Sequence, residues 1–291
     1  MTVFASDKGH FYGYTADTLA EFVRRLELLK PEAPKHRLYF RGLSDMKYNL
    51  SPSIGRPISQ KSKTIWLSRE SRLVEFAEQS IPELFTKSLP TILLSNMQHY
   101  GIPTRMLDIT ENALVALYFA CCDNDSEDGK VVVFEGTPVS AYNPYVNIIA
   151  DTYRLTNDLE IEIDQYRYLI YHQEYASGLL YSGWETDEND GLIEKVSKPL
   201  FVDVGNINAR QKNQTGKFIL FPNKIDGNLV KKELEIIDNL DDLVLAIIRI
   251  PKESKQRIRK QFGLLGMTDG FIFPDDITKV FNGVKDKLAD E

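Results

Sequence analysis

"QHYGIPTRMLDITENALVALYFACC" spans Gln98–Cys122, and its two halves obey different rules. From Glu111 to Cys122 almost every position is apolar, the pattern of a helix buried on all faces. From Gln98 to Thr110 the chain offers an amide, an imidazole, a phenol, a guanidinium, a carboxylate and two threonine hydroxyls. Asp108 or Thr110 is placed to cap the helix, and Asp108 with Glu111 has capping-box spacing. Capping accounts for one polar residue and leaves the others unexplained. The amides of the first helical turn also form an anion site, to which Thr104, Arg105 and Thr110 would add donors. His99 and Tyr100, just upstream, place two rings where they would stack on a flat group. A structural and a ligand-binding reading are both open at this point.

Two further stretches put polar groups where the apolar pattern predicts core. In "YFRG", Tyr39–Gly42, an arginine ends an apolar strand, and a buried guanidinium has to be paired. It reads either as half of an ion pair or as a bidentate clamp on phosphate or carboxylate. In "NARQKNQTGKFILFP", Asn208–Pro222, Arg210, Gln214 and Gly216 precede a strongly apolar strand. Gly216 suits a hairpin entry, but the Gln–Thr–Gly triplet before the strand is unusual.

Around these stretches the periodicities are plain. "DTLAEFVRRLELL" (Asp17–Leu29) has its apolar residues at helical spacing, and Thr64–Phe85 reads as a long helix that Pro82 kinks or ends. Thr91–Tyr100 reads as a helix closed by Gly101, and Tyr142–Leu180 as mixed but helical. "GWETDENDG" is an acidic loop. "HRLYFRG", "KVVVFEG", "KPLFVDV", "GKFILFP", "LVLAIIRI" and "DGFIFPDD" are strand-like runs. Lys252–Phe262 reads as a charged, exposed helix. Helices come early and most strands late, without regular alternation. This order predicts an α+β fold with mainly antiparallel sheet, one domain with helical insertions.

The composition is that of a soluble globular chain, with 43% hydrophobic and 26% charged residues over 291 positions. A net charge of -7 argues against wholesale attraction to nucleic acid or anionic membrane. No secretory signal or membrane-spanning run is visible, so a cytoplasmic location is expected. Cys121 and Cys122 are adjacent within the apolar helix and read as reduced core residues. The four histidines are scattered, which speaks against a metal site. There is no P-loop, no dinucleotide glycine fingerprint and no hydrolase nucleophile elbow.

Together the three polar stretches resemble the FRG domain family, named for its Phe–Arg–Gly motif. "YFRGLSDMKYNLSPSIGR" carries Phe40, Arg41 and Gly42, then Pro52, Ser53 and Arg56. The opening stretch carries Gln98, His99, Gly101, Thr104, Arg105, Leu107, Asp108 and Ala116. The third supplies Arg210, Gln214, Gly216 and Phe218, and "FIFPDD" is similar to the family's ending. The resemblance runs from Arg37 to Ile277. It implies one domain over residues 1–291, with a helical lead-in at 1–36, a motif-bearing core at 37–136 and 199–277, and a helical insertion at about 140–190.

A weaker resemblance is to mono-ADP-ribosyltransferases of the arginine–serine–glutamate type. Those enzymes carry an aromatic–Arg–Gly strand, a Ser–Thr–Ser strand followed by a helix, and a Glu/Gln–x–Glu triplet before an apolar strand. The resemblance implies a split, mainly antiparallel sheet and NAD as the substrate. Arg41, with Gly42, would hold the diphosphate. Thr104 and Thr110 would hold the nicotinamide ribose, and His99 or Tyr100 would stack on a ring. Arg105 and Arg210 would complete the cofactor-binding set. Asp108 would stabilise the developing charge and Gln214 would orient the acceptor, a protein or a nucleic acid. One departure matters: Gly216 stands where transferases have their catalytic glutamate. The implied activity is ADP-ribosyl transfer or NAD hydrolysis, as in a bacterial toxin or antiphage effector. The alternative is a module that binds a nucleotide or phosphorylated ligand without turnover. On a third reading Arg41, Asp108 and Arg210 are only a buried ion-pair network.

Overall fold

Branched and aromatic residues at alternating positions make strands of most of the runs named above. The computed structural model describes residues 12–31, 33–85, 88–156, 160–176, 191–205, 209–235, 237 and 243–276. In chain order the first elements are β1 (Tyr12–Thr15), α1 (Leu19–Glu27), β2 (Arg37–Leu43), α2 (Glu70–Ser80), α3 (Pro82–Phe85) and α4 (Pro90–His99). Next come β3 (Met106–Thr110), α5 (Ala113–Cys121), β4 (Gly129–Gly136), β5 (Val139–Ser140), α6 (Pro144–Ala150) and α7 (Thr152–Thr156). They are followed by β6 (Ile161–Glu162), α8 (Ile163–Tyr171), α9 (Gly191–Val196), β7 (Leu200–Asp203), α10 (Ala209–Gln214) and β8 (Gly216–Leu220). The last are β9 (Asn223–Asp226), β10 (Leu229–Leu234), β11 (Val244–Ile250), α11 (Lys252–Leu264) and α12 (Asp269–Ile272).

Eight strands form one sheet in the order β1-β11-β4-β2-β3-β8-β7-β5, and β6, β10 and β9 form a small second one. The large sheet is mixed rather than purely antiparallel, though most of its pairs are antiparallel. Both outermost pairs, β1 with β11 and β5 with β7, run parallel, while the central pairs are antiparallel. β1 is added to β11 from the opposite end of the chain, a pairing that local sequence pattern does not reveal.

Alternation along the strands sorts the core into three clusters. Tyr39 and Leu43 of β2, Leu107 and Ile109 of β3 and Ile219 of β8 share one continuous cluster on one face. The other face carries two separate clusters. One gathers Phe40, Val131 and Val133 against α5, α1 and α11. The other gathers Met106, Phe218 and Val202 against α4, α6 and α8. The seam between them lies over the junction of β2 and β3.

Gly42 sets how closely α5 approaches the sheet. A Cβ built there would lie 1.7 Å from the Ala116 carbonyl oxygen and 2.7 Å from the Ala120 nitrogen. Backbone cannot retreat as a flexible side chain does, so the glycine of the Phe–Arg–Gly motif is explained by helix–strand contact. A second fixture joins α2 to β3. Arg105 is 1% exposed and donates through Nε to Glu70 (2.7 Å) and through Nη1 to Asn223 (2.8 Å), with a further Nη2–Glu70 bond. Burial pulls its pKa down, but the Glu70 charge and hydrogen bonds outweigh that and hold it raised.

Several local expectations change. Thr64–Phe85 is a 3₁₀ turn at Trp66–Arg69 followed by α2, and Pro82 opens the separate α3. "DGFIFPDD" contains the short helix α12, because Ile272 packs beneath α5 and Tyr118 donates its hydroxyl to Asp269. α11 is not exposed all round. Lys255 is fully buried and its Nζ donates to the carbonyls of Ser44 (2.8 Å), Asn124 (2.9 Å) and Asp123 (3.0 Å). Asn208, Ile277 and all but the last residue of "GWETDENDG" lie outside the described residues. Among the described residues no helix is long and apolar enough to cross a membrane.

Two substitutions check these fixtures by denaturant unfolding. Gly42→Ala is expected to cost about 3 kcal/mol through overpacking against α5. Glu70→Ala, which strands the Arg105 charge, is expected to cost about 3–5 kcal/mol. A midpoint within error of wild type in either variant would contradict the corresponding packing argument.

Candidate functional site

β2 and β3 are neighbours in the sheet, yet they pair at a single position, Phe40 with Thr110. Beyond that pair the strands part, and Arg41 is the first residue past it. Its parity with Tyr39 and Leu43 aims it away from α5, but its guanidinium passes through the gap. There Nη1 donates to the Asp108 carbonyl and lies 4.0 Å from Asp108 Oδ2. Nε is buried without a protein partner. The side chain is 16% exposed. Burial draws its pKa below the ordinary guanidinium value, Asp108 opposes that, and Arg56 adds to it.

The gap opens into a cavity of about 520 Å³, counting space open to solvent. Its walls are Phe40, Arg41 and Gly42 from β2, Asp108 to Thr110 from β3, Val115, Ala116 and Phe119 from α5, and Arg210 and Gln214 from α10. Residues from all three polar stretches therefore meet in one space. A second cavity of equal volume adjoins it across Asp108, Ile109, Arg210 and Gln214, and adds Gln98, His99 and Lys217. Lys217 is paired with Asp203 at 2.7 Å, and Arg210 lies 5.0 Å from the Phe273 ring centre.

Asp108 is the carboxylate common to both cavities, and its side chain is 60% exposed. It sits in mid-strand opposite Phe218, so it does not cap α5. The cap is Asn112, whose side chain accepts from Leu114 N (3.0 Å), while its carbonyl takes the amides of Val115 and Ala116. These bonds occupy first-turn amides that the sequence reading offered to an anion. Thr110 is committed too: its Oγ1 accepts from Asn112 N (2.9 Å) and donates to the Gln214 carbonyl. The Asp108–Glu111 capping box is thereby replaced by a Thr110–Asn112 turn, and Glu111 instead faces Arg37 at 3.4 Å.

The other expected site residues divide. Arg41, Gly42, Asp108, Thr110, Arg210 and Gln214 line the first cavity, and His99 lines the second. Tyr100 lines neither; it is 56% exposed, with its ring edge-on to His99. Thr104 and Arg105 are buried away from both, so neither hydroxyl nor guanidinium reaches a ligand there. Gln214 donates its side-chain amide to the Ile272 carbonyl at 2.9 Å. Gly216 pairs with Thr110 at the start of β8 and brings no charge to the second cavity. Gln98, Phe119 and Lys217 were not singled out as ligand-facing. Gln98 lay in the quoted stretch, but nothing in the sequence shows that it touches Asp108. Among the described residues no three His, Cys, Asp or Glu side chains are grouped to hold a metal ion.

A search of the curated proteins and one of the solved structures each found no match. The scan against family models found the FRG domain over residues 36–129, from the start of β2 to the start of β4. That segment contains Arg41, Asp108 and the α5 wall of the first cavity, and it is the part of the chain that matches the FRG domain.

Proposed function

We propose that the cavity between β2 and β3 holds the diphosphate of a dinucleotide, NAD in the first instance, and that the chain is an ADP-ribosyltransferase-like enzyme or NAD glycohydrolase. The observation that carries this reading is the Arg41 guanidinium in the gap of the sheet, with Arg210 and Asp108 lining the same cavity. Arg41 spends Nη1 on the Asp108 carbonyl and keeps other N–H donors for an anion. Phe40, Val115 and Phe119 give the cavity an apolar wall for the remainder of the ligand.

The order of elements supports the same reading. An arginine-bearing strand (β2), a strand leading directly into a helix (β3 and α5) and a Gln–Thr–Gly triplet before an apolar strand (β8) are adjacent in the sheet. In the proposed reaction the bond between the nicotinamide nitrogen and the ribose carbon breaks, and its electron pair leaves with nicotinamide. Positive charge then grows on the ribose carbon, where a carboxylate stabilises it. The oxygen of water in hydrolysis, or a nucleophilic atom of the acceptor in transfer, then bonds to that carbon and releases its proton to solvent. Asp108 is the exposed carboxylate of the cavity and takes that role in place of the missing glutamate at Gly216. The second reading is binding without turnover. It is favoured by Gly216, whose position has no charge and where a Cβ would press on Gln211 Cγ at 3.2 Å.

The test is nicotinamide release from NAD by the purified chain, with binding measured alongside by calorimetry. Release that falls about 100-fold or more in Asp108→Asn, with NAD still bound, supports the enzyme reading. Arg41→Ala is expected to lose binding while remaining folded. NAD binding without release selects the module reading. An absence of both binding and release overturns the proposal.

A further inference from the structure

The Asp108 carboxylate is not held by a cation alone. Gln98, at the end of α4, donates its side-chain amide Nε2 to Asp108 Oδ2 at 3.0 Å. An amide in that place could turn over and present its oxygen instead, which would repel the carboxylate. A second bond favours the orientation seen: Thr104 Oγ1 donates to Gln98 Oε1 at 2.7 Å and accepts from Met106 N at 3.2 Å. Thr104 is wholly buried, and Ser53 Oγ fixes its backbone, accepting from its N–H (3.1 Å) and donating to its carbonyl (3.3 Å). Every hydrogen along this chain has one sensible direction. Ionised Asp108 can only accept, so Gln98 presents Nε2 to it and Oε1 to Thr104, whose hydroxyl donates to that oxygen while accepting from Met106 N.

We infer that Gln98 and Thr104 are positioning residues, a relay from the core that aims the Asp108 carboxylate between the two cavities. This goes beyond the proposed activity. It rests on that reading only for the reaction Asp108 would serve, since the relay itself is a statement about one carboxylate. It also gives Thr104 a different role from the ribose contact implied by the resemblance.

The direct test is the carboxyl carbon-13 titration of Asp108, assigned by its loss in Asp108→Asn, which requires no turnover. A hydrogen bond donated to a carboxylate favours the ionised form, so removing it raises the midpoint. Gln98→Leu and Thr104→Val are expected to raise it by about half a pH unit, and Thr104→Ser to leave it near wild type. The other charged groups around Asp108 are Arg41 on β2, His99 on α4, Arg210 on α10 and Lys217 on β8, and all are unchanged in these variants. If Thr104→Val does not fold, the partly exposed Gln98 still decides the matter. An unmoved midpoint in folded Gln98→Leu overturns the relay. A raised midpoint in a chain that neither binds nor cleaves NAD supports the relay and rejects the NAD reading. Where NAD is cleaved, Gln98→Leu is expected to lower kcat about tenfold with little change in KM, the split of a group acting in the transition state.

Discussion

The parting of β2 from β3 after one residue pair is the constraint on which the rest of the site depends. Adjacent strands that separate leave backbone groups without ladder partners, and such groups need another donor or acceptor when buried. Here the donor is Arg41, whose side chain crosses the gap to the Asp108 carbonyl. The gap is held open from both sides. β3 runs into α5 through only two residues, and α5 then lies across β2 at Gly42, close enough to exclude any Cβ. The Thr110–Asn112 turn fixes where the helix begins. A strand, a helix and a glycine thus force a hole into a continuous sheet, and a guanidinium lines it.

Arg105, just before β3, and Arg41, reaching β3 from β2, show how environment divides one residue type into two uses. Arg105 has Glu70, Asn223 and a backbone carbonyl around it and no exposed surface to speak of. Each of its three guanidinium nitrogens donates inside the protein. Arg41 makes one backbone bond, sits 4.0 Å from a largely exposed carboxylate, and keeps a buried Nε with nothing to bind. Burial costs a cation dearly, so Arg41 gains little stability from the one bond it makes, and its unused donors are the groups the proposed reading assigns to an anion. The chain's net charge of -7 makes such a local concentration of Arg41 and Arg210 the more specific.

Much of the fold was legible because apolar spacing is set by burial, and burial was what the structure had to satisfy. β2, β4, β7, β8, β11, α1, α4 and α5 fall where the sequence placed them, within a few residues at their ends. The misreadings have physical causes. "MLDIT" alternates as a strand should, with Leu107 and Ile109 facing one cluster, but Asp and Thr beside an apolar helix also look like caps. Only β8, over a hundred residues away, decides between the two by pairing with it. "DGFIFPDD" has strand composition, yet Ile272 finds its burial beneath α5 instead of in a sheet. Lys255 looked solvated because helical period counts charge and cannot see three carbonyls from other segments converging on one ammonium.

The spacing within the deciding stretch acquires a meaning that neither residue types nor periodicity could supply. α4 ends at His99, and Gly101 takes a left-handed φ of +79° that other residues reach only with strain. The turn reverses the chain so that Thr104 comes back beside Gln98, one helical end against one strand entrance. From Thr104 the chain enters β3 and carries Asp108 to the opposite side of the same amide. The polar crowding at the entrance of the buried helix is therefore largely structural. Arg105 and Thr104 anchor the strand from within, Thr110 and Asn112 close the turn, and these commitments leave Asp108 and Arg41 as the groups that face open space. A chain that fixes these hydrogen bonds beside one exposed carboxylate restricts where that charge can point, which is the preorganisation the proposed reaction would require.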